Sequence, residues 1–168
     1  MQFLAIILIL TLAVGCKQGE REDDKKGGDS NSPVFEMRMV DNSLSPDSEQ
    51  MILSLKGKDG NPTQKTIIVQ KTTVLDVTDV ETTSVWARGD IVGIDITLTA
   101  VARKRFDEFT RQNIGRHVAI VINGRLQDEE TIKSEISLGE FDVRSDWTPK
   151  EARLIAKEIK QTSKRRNK

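Results

Sequence analysis

Residues 97–125, which read TLTAVARKRFDEFTRQNIGRHVAIVINGR, decide the fold because a helix pattern passes there directly into a strand pattern. Apolar side chains recur at helical spacing at Ala102, Phe106 and Phe109, with charged residues between them. This period predicts an amphipathic helix over 99–113 whose two phenylalanines face a sheet. Gly115 follows at a position where such a helix would end.

The second half of this stretch predicts a hairpin. Residues 117–122 form a compact apolar strand, and Asn123-Gly124 follows it directly. Both central residues of a type I′ turn need a positive φ, which Asn and Gly adopt more readily than other residues. We therefore expect the return strand to begin near Leu126.

The remainder of the chain is rich in strand patterns, with one further helix. Alternating and β-branched segments predict strands over 34–40, 51–55, 66–75 (one strand or two), 83–87, 91–98, 131–136 and 140–143. Turn residues occupy 42–50 and 58–62, and a short helical turn is expected within 76–82.

The last helix has a clear start. Thr148-Pro149-Lys150-Glu151 supplies an N-cap, a proline at the first helical position and the glutamate of a capping box. Its apolar stripe consists of Ala152, Ile155, Ala156 and Ile159. Together these elements predict an α+β fold, a mostly antiparallel sheet with two main helices packed on one face.

Composition restricts the function. The chain has 26 Lys or Arg and 26 Asp or Glu, and a neutral balance argues against nucleic acid as a partner. With one histidine and one cysteine it lacks the ligands of an ordinary zinc site, and no calcium or phosphate loop is present. We therefore predict no catalytic, metal-binding or cofactor-binding residue.

Two polar features remain open to a functional interpretation. His117 has no evident Ser or Cys partner, so we expect a surface histidine rather than a base. Asp128-Glu129-Glu130 could bind a cation, but we expect the solvated flank of a hairpin.

The N-terminus predicts export. Residues 3–14 are an apolar run of about twelve residues, too short to span a bilayer, which needs about twenty. We expect residues 1–15 to be a signal peptide. Residues 12–16, Leu-Ala-Val-Gly-Cys, resemble a bacterial lipobox. The resemblance implies cleavage between Gly15 and Cys16 and a lipid anchor on Cys16. The alternative is a plain secretory signal with an incidental cysteine.

The predicted domains follow from this start. Residues 16–33 are polar and rich in Gly, Ser and charge, which predicts a lipidated flexible tether. Residues 34–162 form the folded domain. Residues 163–168 are expected to be a frayed basic tail, with contact to anionic lipid or cell wall as the alternative.

The quoted stretch resembles the first periplasmic head domain of SecD, the accessory subunit of the bacterial protein-export translocase. The family has a strand leading into a helix that runs to Phe, Thr, Asn and Gly, followed by a strand and an Asp-Gly turn. The corresponding residues here are Phe106, Phe109, Thr110, Asn113, Gly115, Ala119, Ile120, Val121, Gly124 and Arg125. The resemblance extends over roughly 34–159, but 127–130 departs from the family's loop and its membrane helices are not expected here.

Two classes of function follow. The first is a non-catalytic, membrane-anchored binding module of the envelope that contacts exported unfolded polypeptide or translocase components, as the resemblance implies. The second is an envelope enzyme or enzyme subunit with an unrecognised site. The expected location is the periplasm, and in a cell with two membranes the outer one, because Lys17 rather than Asp follows the cysteine.

We predict that Cys16 is acylated, since the apolar run ends at the lipobox-like stretch. Mass spectrometry of the mature N-terminus should show lipid on Cys16 and no residue before it. Replacement of Cys16 by Ser should block processing or release the domain from the membrane. An unmodified cysteine, or cleavage at another bond, would contradict the prediction.

Overall fold

The computed structural model describes residues 34–56 and 61–168, and these contain eight strands, two α-helices and one 3₁₀ turn. The elements in chain order are β1 (Phe35–Asp41), β2 (Ser48–Lys56), β3 (Pro62–Asp76), the 3₁₀ turn (Val77–Asp79), β4 (Val80–Arg88), β5 (Ile91–Leu98), α1 (Ala100–Gln112), β6 (His117–Ile122), β7 (Arg125–Thr131), β8 (Glu140–Ser145) and α2 (Pro149–Arg166).

The strands form two sheets in which the neighbouring strands are antiparallel. One sheet has five strands in the order β2-β3-β1-β6-β7, and the other has three in the order β4-β5-β8. Strand β3 carries the chain across the first sheet. Its residues 62–70 pair with β2, and its residues 68–76 pair with β1.

The five-stranded sheet curls so that its two edge strands, β2 and β7, contact each other. A small core lies inside the curl, and it consists of Leu53, Ile67, Val69, Ala119, Val121 and Leu126. At its margin Lys65 of β3 forms an ion pair of 2.5 Å with Glu129 of β7, although β1 and β6 lie between these strands in the sheet. The edge strands β2 and β7 thus partly cover each other.

The main core joins both sheets and both helices. Because alternate residues of a strand face opposite sides, Phe35, Met37 and Met39 of β1 enter this core, while the intervening residues face the curl. Strand β5 contributes Val92, Ile94, Ile96 and Leu98, which alternate along the strand. Helix α1 adds Ala102 and Phe106, and α2 adds Ala152, Ala156 and Ile159.

Most of the predicted elements are confirmed. The fold class is α+β, with the strands shared between two sheets. Helix α1 has Thr99 as its N-cap, and the capping box of Thr148 and Glu151 begins α2. The Asn123-Gly124 turn has φ of 50° and 72°, as a type I′ turn requires.

Three local predictions were wrong or incomplete. The strand predicted over 131–136 does not exist, because β7 ends at Thr131 and the chain turns away. Ile132 is buried in the core, and the Ile136 amide donates to Thr110 Oγ1 at 2.9 Å rather than to a strand. The segment 66–75 is part of one longer strand, β3. Strand β2 begins within the predicted turn region, at Ser48.

The predicted basic tail was also wrong over 163–166. Helix α2 continues to Arg166, and Ser163 is buried, with its hydroxyl donating to the carbonyl of Val80. Asn167 at the C-cap donates to the carbonyl of Thr78 at 2.9 Å. These hydrogen bonds fix the last turn of α2 against the start of β4, so the end of the helix is part of the domain.

All described elements and both cores lie within 34–168, and we therefore expect a chain that begins at Lys17 to fold. In such a chain Phe106→Ala should lower the free energy of unfolding by about 3–5 kcal/mol, since the ring is 2% exposed and its removal leaves a cavity. Urea denaturation measures the loss. The exposed Lys104→Ala on the same helix is the control, and equal stability of the two variants would mean that the helix face is misassigned.

Candidate binding groove

A groove lies between α1 and the second half of β3, with a volume of about 320 Å³. Its lining residues come from β1, β3 and α1, and they are Met39, Gln70, Thr72, Thr73, Val74, Arg105, Phe106 and Phe109. The floor is apolar, from Met39, Val74 and the two phenylalanines, and the walls carry hydroxyl and amide groups. Such a combination suits a ligand with apolar side chains on a polar backbone.

Stacked phenylalanines join the floor of the groove to the main core. Phe106 and Phe109 stack with 6.0 Å between ring centroids and 13° between planes. Phe106 also contacts Phe141, at 5.7 Å, which in turn contacts Phe35, at 6.4 Å. Phe106 is buried, whereas Phe109 is only partly buried. The helix spacing that predicted both rings as core residues therefore places one in the core and the other at its border with the groove.

One edge of β3 is open beside this groove. Thr73, Leu75 and Asp76 pair with β1 on one side, but β2 reaches only as far as Gln70 on the other. The Lys71 amide donates to the carbonyl of Asp47 at 2.8 Å, so the loop before β2 covers that position. Within the described residues, 72–75 then have no strand partner on the second side. We call residues 72–75 the open edge.

An ion pair between α1 and the 3₁₀ turn lies at the rim of the groove. Arg105 lies on the wall contributed by α1, and its Nη2 donates to Asp79 Oδ2 at 2.8 Å. The same Asp79 oxygen accepts from the amide of Asp76, closing the capping box of the 3₁₀ turn. The turn that follows the open edge is thereby tied to α1.

A second depression, also of about 320 Å³, lies on the outer face of the three-stranded sheet. The Trp86 ring fills the space above Gly93, where an added Cβ would lie 2.5 Å from the indole. The guanidinium carbons of Arg88 and Arg144 lie 5.3 Å and 5.7 Å from the ring centroid. Because both arginines pack on the indole, this surface is already occupied by its own side chains, and the groove is the better candidate site.

The other polar residues that the sequence pointed to do not converge on a site. His117 is half-exposed at the start of β6, and its Nδ1 lies 3.4 Å from Glu129 and 3.5 Å from the Thr131 hydroxyl. Glu129 points into the curl toward Lys65. Within the part of the chain that the structure describes, no group of three His, Cys, Asp or Glu side chains could hold a metal ion.

Asp128 lies on β7 with an altered protonation equilibrium. Partial burial is the main reason that the pKa of Asp128 is raised above its ordinary value of 3.8, and Glu130 adds repulsion. The Glu129 amide, which donates to Asp128 Oδ1 at 2.8 Å, and the charge of Arg144 act in the opposite direction. The ionised carboxylate is therefore less favourable here than in water.

Gly15 and Cys16, the predicted cleavage and lipidation residues, lie outside the described residues, so both assignments remain proposals. Among residues 34–56 and 61–168, no helix has the length and apolar character needed to cross a membrane. Trp147 packs against the main core next to the start of α2.

The sequence did not point to the groove. Its key residues, Thr72 to Val74, belong to an ordinary β-branched run, which predicts a strand and gives no sign that one edge lacks a partner. Only the register of β2 and β1 against β3 shows this.

Two antiparallel sheets and two helices, with a groove beside an open strand edge, define a small α+β domain. The family model for the SecDF P1 head subdomain matches residues 50–163, and the chain belongs to this family.

Two curated relatives are subunits of a protein translocase. SecDF of Thermus thermophilus is 36% identical over 63 residues, which cover 38% of this chain and 9% of the relative. SecD of Aquifex aeolicus is 30% identical over 120 residues, which cover 70% of this chain and 22% of the relative. The chain thus spans less than a quarter of the length of either relative.

Solved structures show the same fold. The crystal structure of SecDF in a super-membrane-facing form has a TM-score of 0.59 and 20% identity, covering 76% of this chain and 18% of that chain. A structure of SecDF, described as a membrane component that enhances protein export, has a TM-score of 0.58 and 19% identity, covering 77% of this chain and 62% of that chain.

We predict that Asp128→Asn stabilises the domain at neutral pH. With a raised pKa in the folded state, ionised Asp128 costs stability above that pKa, and the cost disappears as the pH falls below the unfolded value. The melting temperature of the variant should therefore exceed that of the parent at pH 7, and the difference should shrink toward pH 3. Asp90→Asn, in an exposed turn, is the control. A gain in melting temperature that is independent of pH would contradict the assignment.

Proposed function

We propose that this protein is a non-catalytic binding module of the bacterial envelope that takes up extended, unfolded polypeptide at the open edge. The observation that carries the proposal is that, within the described residues, the open edge has no strand partner on its outer side, directly beside a groove with an apolar floor. Its relatives are protein-translocase subunits, which supports polypeptide as the ligand.

The open edge and the groove would act on different parts of the ligand. An added strand forms main-chain hydrogen bonds, which every sequence offers, while alternate side chains enter neighbouring pockets. Met39, Val74 and Phe109 would receive the apolar side chains, and Thr72 lies exposed on the strand that would pair. Affinity should be weak and depend little on sequence, because ordering a disordered chain offsets much of the contact energy.

The chemistry of the groove favours binding over catalysis. Its polar groups are two threonine hydroxyls, the Gln70 amide and the Arg105 guanidinium, which is already paired with Asp79. Gln70 donates to Asp41 Oδ1 at 2.9 Å, so it too has a structural partner. These groups can hold a polypeptide backbone, and none is arranged as a nucleophile with a base.

The proposed location follows from the N-terminus. A lipid on Cys16 would tether the domain, through residues 17–33, to the periplasmic side of the outer membrane in a cell with two membranes. The tether could extend up to about 60 Å at roughly 3.5 Å per residue. A domain that reaches this far from its anchor could meet polypeptide, or translocase components, near the membrane surface.

The test is an NMR titration of the chain from Lys17 to Lys168 with an alkylated, permanently unfolded secretory protein. Thr72→Asp places a charge at the groove that a bound strand would have to desolvate, so binding should weaken about tenfold, or about 1.4 kcal/mol. Thr66→Asp is the matched control, because it changes an exposed threonine on the same strand outside the groove.

Chemical shift changes should centre on residues 72–75 and on Phe109 in the parent. The control should bind like the parent, and both variants should have the melting temperature of the parent. Equal weakening in both variants, or shift changes confined to another surface, would refute the site. Turnover of a small substrate without any polypeptide binding would favour the enzyme alternative.

A further inference from the structure

Helix α2 is strongly basic, and most of its cations lie on one side of the helix. It contains seven Lys or Arg and two Glu, whereas the whole chain is balanced at 26 of each sign. Its buried residues are Ala152, Ala156, Ile159, Thr162 and Ser163, and all of these but Thr162 follow the helical period along one narrow face. Five basic residues follow the same period one position further on, and these are Lys150, Arg153, Lys157, Lys160 and Lys164. At 3.6 residues per turn they form a single row beside the buried face. We call this row the basic stripe.

The basic stripe is not neutralised by the rest of the domain. Within the described residues, none of its five side chains takes part in an ion pair. The two glutamates of α2 lie on the other side of the helix. Glu151 belongs to the capping box, and Glu158 accepts from Asn123 Nδ2 at 3.1 Å. The stripe is therefore a row of available cations about 21 Å long, at 1.5 Å per residue.

Helix stability does not explain this pattern. Cations near the C-terminus of a helix are favourable, which accounts for Lys164 and its basic neighbours. Lys150 and Arg153, however, lie in or beside the first turn, where the helix dipole disfavours positive charge. The row continues into the N-terminal end of the helix, where positive charge is unfavourable. This pattern indicates that the row interacts with a partner outside the domain.

We propose that the basic stripe binds the anionic headgroups of a phospholipid membrane, so that α2 lies along the membrane surface. A straight row of cations along a helix fits a flat array of negative charge better than it fits a shaped ligand. Neither the groove nor the depression beside Trp86 is lined by any residue of α2. Basic clusters beside a membrane anchor contribute affinity through the negative surface potential.

This contact would complement the proposed lipid on Cys16, since stable attachment commonly combines an acyl anchor with a polybasic surface. It would also fix the orientation of the domain. With α2 on the membrane, the groove remains available, because α2 lines no part of it. The inference stands on α2 alone and does not depend on polypeptide binding in the groove.

The experiment is vesicle sedimentation with the chain from Lys17 to Lys168, which lacks the apolar N-terminus and Cys16. Vesicles of phosphatidylcholine with one third phosphatidylglycerol are compared with pure phosphatidylcholine. The test variant combines Arg153→Gln, Lys157→Gln and Lys164→Gln. The control variant combines Lys104→Gln, Arg125→Gln and Lys133→Gln, which removes the same charge from exposed positions elsewhere.

The parent should bind anionic vesicles and dissociate from them at high salt, and it should not bind the neutral vesicles. The test variant should bind roughly 100-fold more weakly, since each Lys or Arg near an anionic surface contributes about fivefold. The control variant should lose much less, and Thr72→Asp should bind vesicles like the parent. Equal loss in both triple variants would overturn the proposal, as would equal binding to both kinds of vesicle. Binding to polyglutamate without binding to vesicles would also overturn it, in favour of an acidic protein partner.

Discussion

Strand β3 is longer than the segment that either neighbour pairs with, and the architecture depends on this mismatch. Its first part pairs with β2, its last part pairs with β1, and only residues 68–70 lie between both strands. The long strand lets the sheet curl until β2 meets β7 over the small core. Within the described residues, the same offset leaves the open edge without a strand partner on its outer side, where α1 brings Phe106 and Phe109 alongside. The curl and the groove are thus two consequences of one pairing register.

Local patterns in the sequence predicted the parts of the fold that local physics determines. The period of Ala102 and Phe106, the capping box at Thr148 and the Asn123-Gly124 turn each depend on residues within a few positions of one another. The wrong predictions concern segments whose state is set by distant contacts. Ile136 belongs to a segment predicted as a strand, but its amide donates a hydrogen bond to the Thr110 hydroxyl. The end of α2 stays helical because the Ser163 hydroxyl donates to the carbonyl of Val80.

The candidate site was less predictable than the fold for a related reason. Thr72 and Val74 have the composition of any strand, and an unpaired edge is a property of the register between three strands rather than of residue type. The basic stripe shows the opposite case. Its spacing from Lys150 to Lys164 is visible in the sequence, but it gains meaning only when the helix continues to Arg166 and no ion pair covers it. Exposure and pairing, rather than composition, distinguish these surfaces from ordinary strand and helix faces.

Amide hydrogen exchange at residues 72–75 tests the open edge most directly, because strand addition must protect backbone groups that now face no partner strand. With saturating unfolded polypeptide, the outward-facing amides of this segment should exchange at least about tenfold more slowly, while amides in the paired segment 62–70 keep their rates. Unchanged exchange at 72–75, with new protection at the free side of β8 or on α2, would contradict binding at the open edge.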